Sequence, residues 1–117
     1  MRNFKQLKIW QKGFEIAVKS LKLAGAFPKE EKYGLTSQVS RASVSIPSNI
    51  AEGSSRSSEK DYKRFLEFSL GSSFELETQL LIADAVNYGD FELRNEILRD
   101  VDEEHKMLIS FMNKLNT

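Results

Sequence analysis

Apolar residues recur at three- and four-residue steps along nearly the whole chain, the spacing that puts them on one face of a helix. The first such segment runs from about Lys5 to Ala26. Leu7, Trp10, Phe14, Ala17, Leu21 and Ala24 make one stripe there, and Ile9, Gly13, Ile16, Leu23 and Phe27 make a second. Two stripes are more apolar surface than one core requires. Pro28 stops this helix, because the residue before a proline is pushed out of the α region. A second helix is predicted over Glu31 to Gly53 and a third over Glu59 to Tyr88. The third is apolar nearly all round, with Tyr62, Phe65, Leu76, Leu80 and Ala83 on one side and Leu66, Leu70, Phe74, Leu81 and Ala85 on another. Such a helix is central or shared with a partner. Asn87-Tyr88-Gly89-Asp90 supplies its stop, Gly89 suiting the left-handed position after the helix and Asp90 the N-cap of the next. The fourth helix is predicted over Phe91 to Leu115, with Ile97, Val101, Leu108, Met112 and Leu115 inward. Arg94, Arg99, Asp100, Asp102, Glu103 and Glu104 are expected in water. With no strand pattern, internal repeat or second domain, residues 1–117 read as a single all-α domain. The short connections favour an antiparallel up-and-down four-helix bundle. The surplus apolar faces predict that it is an oligomer.

The second helix carries the most specific pattern. Leu35, Val39, Ala42, Ile46, Ile50 and Gly53 form its apolar stripe, yet Pro47 stands inside it. An interior proline removes a donor, clashes with the preceding turn and costs roughly 3 kcal/mol, so a kink or local break is expected there. A polar stripe, Gln38, Arg41, Ser45, Asn49 and Glu52, lies about 100° away on the same helix. In an antiparallel hairpin Arg41 falls opposite Gly71-Ser72, and Gln38 opposite Phe74-Glu75. The reading favoured is a buried network with Ser72 and Glu75 of the third helix, Arg41 pairing Glu75, because either charge buried alone is costly. A ligand site lined by the same groups is the competing reading. Gly71 with Ser72 and Ser73 suits close approach of the helices.

Composition adds exclusions. The chain has no cysteine, hence no disulfide or thiolate metal site, which fits a reducing compartment. No apolar run is long enough to span a bilayer, and the N-terminal residues lack a secretory h-region, so a cytoplasmic location is expected. Enzymology finds little support. The one histidine, His105, sits at the edge of an apolar stripe, where a packed boundary residue is the common case. Asp102 and His105 have the spacing of one bundle metal motif, but a second such pair cannot exist without another histidine. No phosphate loop, nucleophile elbow or zinc motif is present, and no cofactor is implied.

Net charge is zero, but its distribution is uneven. Up to Leu66 there are thirteen basic and six acidic residues, and from Glu67 onward four basic and eleven acidic, so the halves carry +7 and −7. Such asymmetry fits a basic nucleic-acid face, or flanks of opposite sign that meet between subunits. The run Gly53 to Ser58, followed by Lys60, Lys63 and Arg64, offers anion contacts at a helix start, although a capped connector is the commoner use of such a stretch. Lys5, Lys8, Lys12 and Lys19 fall near one face of the first helix as a candidate phosphate track.

The order Trp10-Gln11, Phe27-Pro28-Lys29-Glu30-Glu31, Leu35-x-x-Gln38, Arg41-Ala42-x-x-Ser45-Ile46-Pro47-x-Asn49-Ile50-Ala51-Glu52-Gly53, Arg56, Phe65-Leu66 and Gly71-Ser72-x-x-Glu75-Leu76 resembles a bacterial family of four-helix bundles. Its members were first noticed as reading frames inside intervening sequences of 23S rRNA genes. A related branch is the accessory protein of diversity-generating retroelements, which partners a reverse transcriptase. The resemblance covers nearly the whole chain. It implies a ring-shaped homopentamer and, less firmly, a nucleic-acid connection, with RNA or a reverse-transcriptase-like protein as possible partner. It supplies no catalytic residue.

The resulting expectation is a non-enzymatic cytoplasmic homo-oligomer that binds structured RNA, or an RNA–protein complex, through a basic rim of Lys5, Lys8, Lys12, Arg56, Lys60, Lys63 and Arg64. The alternative is an assembly or adaptor module with no nucleic-acid role. In it the same cations face Glu92, Glu96, Asp100, Glu103 or Glu104 of a neighbouring subunit.

Overall fold

The computed structural model describes residues 2–115, and among them are four long helices and no strand. Met1, Asn116 and Thr117 of the single-domain reading lie outside the described residues. The helices are α1 (Lys8–Gly25), α2 (Leu35–Ser54), α3 (Glu59–Ala85) and α4 (Phe91–Asn113). Short 3-10 turns at Phe4–Gln6 and Lys29–Glu31 precede α1 and α2.

Each predicted helix is present, and its ends follow local chemistry. The first is split, because Leu7 is extended (φ −78°, ψ 130°) between the Asn3-capped turn and α1. The second begins later than the periodicity implied. Gly34 breaks the chain out of the 3-10 turn, and Oε1 of Glu31 then accepts a hydrogen bond from the Leu35 amide at 3.1 Å. Ser58 and Asp90 cap α3 and α4, accepting from the amides of Asp61 and Leu93 at 3.1 and 2.8 Å. The end of α3 differs in detail from the expected glycine stop. Asn87, not Gly89, takes the left-handed position next to the helix (φ 64°). The Tyr88 amide donates to the Ala83 carbonyl at 2.9 Å and the Asn87 amide to Asp84 at 3.2 Å, the paired bonds of a Schellman stop. Asparagine tolerates this conformation better than other non-glycine residues.

Consecutive helices pack against each other and α1 packs against α4, while the diagonal pairs do not approach; this is the up-and-down arrangement. The core runs the length of the molecule, from Ile9, Ile50, Tyr62 and Leu66 at one end, through Ile16, Ile46 and Leu76, to Leu23, Val39, Leu80 and Ile97. Of the two apolar stripes on α1, the one carrying Ile9, Gly13, Ile16 and Leu23 is buried; Phe14 and Leu21 of the other remain 51% and 46% exposed. On α3 and its C-cap, Phe68, Leu81, Ile82 and Val86 are also exposed. The sequence surplus is therefore a real surface surplus. No helix is long and apolar enough to cross a membrane.

Pro47 is buried within a helix that continues unbroken to Ser54. Side chains add bonds to two nearby carbonyls, although the carbonyl that Pro47 deprives of its helical donor is that of Ser43. Oγ of Ser69 donates to the Ile46 carbonyl at 2.9 Å, and Nδ2 of Asn49 donates to the Ser45 carbonyl at 2.9 Å. The α2 and α3 helices approach closely at Gly53, where an added Cβ would stand 2.8 Å from Cβ of Phe65 and 3.2 Å from the Tyr62 carbonyl oxygen. Backbone there cannot retreat cheaply. Gly53→Ala should destabilise the bundle by about 1–3 kcal/mol, read as a lower urea midpoint at unchanged m-value. An unchanged midpoint would show that α2 and α3 can spread freely.

Candidate nucleic-acid interface at the basic pole

An up-and-down bundle gathers the start of α1, the end of α2, the start of α3 and the end of α4 at one pole. Specific contacts tie these segments together. The guanidinium of Arg2 donates to the carbonyls of Arg56 and Ser54 at 2.6 and 3.3 Å and lies 4.4 Å from the Tyr62 ring centre. Tyr62 meets Phe111 of α4 edge-on at 5.8 Å. An open groove of about 460 Å³ runs between α1 and α4, floored by Leu7, Ile9, Met107 and Phe111 and flanked by Lys8, Lys106 and Lys114.

The structure places Lys5, Lys8, Arg56, Lys60, Lys63 and Arg64 at this pole. Lys8, Lys60 and Lys63 make no ion pair among the described residues. Arg56 is partly engaged, pairing with Glu52 at 2.9 Å and lying 4.5 Å from the Phe65 ring centre. Arg64 lies 5.8 Å from the ring centre of Phe68. Lys12 is removed from the set. Its Nζ sits 2.8 Å from Glu103 and 3.1 Å from Asp100, so its charge is already neutralised. Lys114 joins the pole from the acidic half of the chain, as does Lys106, which is exposed and pairs with Asp102 at 3.2 Å. Charge counting along the sequence missed them because the grouping is topological. The only hint was the short connection that makes α4 return beside α1.

The Lys12 pairs belong to a ladder between α1 and α4. Lys19 reaches Asp100 at 2.8 Å, Glu15 at 2.7 Å and Glu96 at 3.6 Å. Burial pulls the Lys19 ammonium down, but its hydrogen bonds to Asp100 and Glu15 outweigh this and hold it above the usual lysine range. Lys12 is likewise raised, by its hydrogen bond to Glu103 against burial. Burial raises the Asp100 carboxyl, but the hydrogen bonds from Lys19 and Lys12 prevail and lower it. The basic first half and acidic second half thus meet inside one subunit, on the α1–α4 seam.

The polar stripe of α2 is not the buried network that was expected. Gln38, Arg41 and Glu75 are exposed, and Arg41 and Glu75 form no ion pair. The helices meet about a residue to the inside of that stripe, so only its middle is sheltered. There the hydroxyls of Ser45 and Ser72 share a hydrogen bond at 2.8 Å, and Nδ2 of Asn49 donates to Oγ of Ser45 at 2.8 Å. Glu52 turns to Arg56. Gly71 has open space around it, while Ser69 and Ser73 are the small residues in the α2–α3–α4 interior. On the opposite side, Trp10, Phe14, Val18, Leu21, Val44 and Ala51 line an apolar groove of about 350 Å³ between α1 and α2.

Three charged residues expected in water are buried, Asp100 (8% exposed) because Lys12 and Lys19 of α1 close over it, and Arg94 and Glu104 within the core. Arg94 is 1% exposed and bridges the α3–α4 turn. Glu104 is 0% exposed, and neither carboxylate oxygen has a hydrogen-bond partner. Burial pushes its carboxyl up to about 8, against the pull of the Lys12 charge. His105, beside it, is packed with its ring stacked on Phe74 at 4.1 Å. No group of acids and histidines among the described residues is arranged to hold a metal.

Helix order, lengths and the cations gathered at one end define a small up-and-down bundle with a charged pole. The sequence profile of the 23S rRNA-intervening sequence proteins matches residues 5–110, and the chain belongs to that family. A search of curated proteins gave no match. Among solved structures, the chain is similar to a protein of unknown function from the S23 ribosomal protein family of Bacteroides thetaiotaomicron VPI-5482. The TM-score is 0.83 at 28% identity, over 91% of this chain and 99% of that one.

Proposed function

We propose that this protein is a non-enzymatic, self-assembling bundle of the cytoplasm that binds structured RNA through its basic pole. The observation that carries the reading is the convergence of Lys8, Lys60, Lys63 and, just past the end of α4, Lys114, with no acid paired to them among the described residues. Such cations act as point charges on phosphates and fix position more than sequence. The family's description, which refers to intervening sequences in 23S rRNA, gives the RNA class to try first. Lys5, Lys106, Arg56 and Arg64 would extend the contact around the pole.

Two unlike apolar faces, the α1/α2 groove and the outer side of α3, are open on the same subunit. Different faces meeting make a head-to-tail contact, which closes into a ring when the rotation permits. A homopentamer is the ring proposed. The adaptor reading, with charge halves pairing between subunits, has less to draw on, because Lys12, Lys19, Asp100 and Glu103 are satisfied within one chain.

The test is a titration against a labelled structured 23S rRNA fragment across salt concentrations. Changing Lys60, Lys63 and Arg64 together to Glu should weaken binding at least about 100-fold at low salt. The log–log salt slope should fall by about 2 to 3, roughly one per lost phosphate contact. The oligomer should be spared. Wild-type protein that binds no RNA even at low salt would refute the RNA reading, and loss of assembly in the variant would favour the adaptor.

A further inference from the structure

The centre of the bundle holds an arrangement that RNA binding does not use. Glu104 projects from α4 into the layer where α1 carries Gly13 and α2 carries Ile46 and Pro47. A Cβ on Gly13 would stand 3.0 Å from Oε2 of Glu104, 3.1 Å from Cγ2 of Ile46 and 3.4 Å from the Pro47 nitrogen. The carboxyl and the proline therefore face the same small gap, and the absence of a side chain at residue 13 makes room for both. Pro47 has no amide hydrogen, so the Ser43 carbonyl one turn earlier lacks its helical donor. A buried carboxyl with two unpartnered oxygens thus lies beside a helix that is short of one donor.

We propose that Glu104 is a proton-linked latch: as a neutral acid its O–H donates to the α2 backbone at the Pro47 gap, with the Ser43 carbonyl as acceptor, and holds α4 against α1 and α2. Removing the proton leaves a bare carboxylate facing a carbonyl in a dry interior, which α4 relieves by moving outward. The surroundings supply no counter-charge that is free to pair with it. From α1, Lys12 faces this region but is held by Asp100 and Glu103. On α4 itself the nearby titratable groups are those two acids and His105, which is turned to Phe74 on α3. The buried faces of α2 and α3 bring no acid or base except Tyr62, which meets Phe111 at the basic pole. The segment released is the C-terminal part of α4, which carries Lys106 and Lys114. The latch stands whether or not that pole binds RNA.

The sign of the pH effect follows from linkage. The carboxyl has its ordinary value near 4.5 when unfolded and about 8 when folded. Between those values the folded state keeps a proton that the unfolded state has lost, so stability falls as pH rises through the window and levels off above it.

The test is a carbon-13 NMR titration of the glutamate carboxyls in the full-length protein, with the Glu104 resonance assigned by its loss in Glu104→Gln. A midpoint near 8 is expected. In Pro47→Ala the Ser43 carbonyl regains a backbone donor that competes with the neutral acid for it, and the midpoint should move measurably down. A wild-type midpoint in the ordinary carboxylate range, or one that Pro47→Ala leaves in place, overturns the proposal. Thermal unfolding gives an independent reading should Pro47→Ala not fold. Wild-type Tm should fall with rising pH across the window, whereas Glu104→Gln, whose amide donates the same bond without titrating, should not share that fall. Equal pH slopes in the two proteins overturn the latch.

Discussion

Replacing Arg94 with alanine should destabilise the protein by about 3–5 kcal/mol, more than any surface change in the molecule. The guanidinium does three jobs in a space sealed from water. Nε donates to Oδ1 of Asp84 at 3.0 Å, and Nη1 donates to the carbonyls of Tyr88 and Gly89 at 2.6 and 3.1 Å. Those carbonyls belong to the turn that reverses α3 into α4, where Asn87 and Gly89 both have positive φ. A turn in that conformation directs carbonyls inward, and only a forked, permanently charged donor reaches two of them and a carboxylate together. Alanine leaves a void and two unsatisfied carbonyls. Lysine restores one charge but not the fork, so Arg94→Lys should recover less than half of the loss. Asn at residue 84 keeps an Oδ1 acceptor for the Arg94 Nε and gives up only a carboxylate charge that is partly exposed, so Asp84→Asn should cost only about 1 kcal/mol. Urea unfolding of the three variants checks the ordering. An Arg94→Ala protein within about 1 kcal/mol of wild type would mean that the turn's carbonyls find other donors.

The misplacement of Arg94 and Glu104 in the sequence reading has a common cause. Ile97, Val101 and Leu108 were assigned inward, and the same heptad rule runs through Arg94, three residues before Ile97, and Glu104, between Val101 and Leu108. Charge alone would put both in water. The register was right, because each side chain has a local reason to be inside: a turn full of carbonyls for Arg94, and a glycine-lined gap for Glu104. Helix existence and the bundle were legible because four long periodic segments joined by short connections leave few other packings. The interior of α2 was legible only in part. Pro47 marks a special place, but the side-chain bonds around it come from Ser69, on another helix, and from Asn49. The polar stripe was misjudged through the interhelical angle, which period alone does not set. A rotation of α2 by one residue's worth would have buried Arg41 against Glu75. The basic pole was half visible. Lys60, Lys63 and Arg64 are adjacent in sequence, whereas Lys114 joins them only once α4 has folded back.

Glutamates placed in the α1/α2 groove should convert the proposed ring to monomers without unfolding the subunit. Leu21 and Val44 are 46% and 42% exposed, so Leu21→Glu and Val44→Glu together put two charges on a surface that the isolated subunit leaves wet. Intrachain packing changes little, and urea stability should stay within about 1 kcal/mol of wild type. Between subunits the same charges would be desolvated without partners, a cost of several kcal/mol per contact. The heterologous geometry makes a sharper demand. Ile82→Glu with Val86→Glu should disable the other face, on the outer side of α3, and also give monomers. Mixing the two monomeric variants should then yield a dimer and nothing larger, since each retains one intact face and the intact faces are complementary. Mass measured by light scattering distinguishes the cases. A self-complementary contact would leave the mixture monomeric or restore full assembly, and a groove variant that keeps the wild-type mass would place the contact elsewhere.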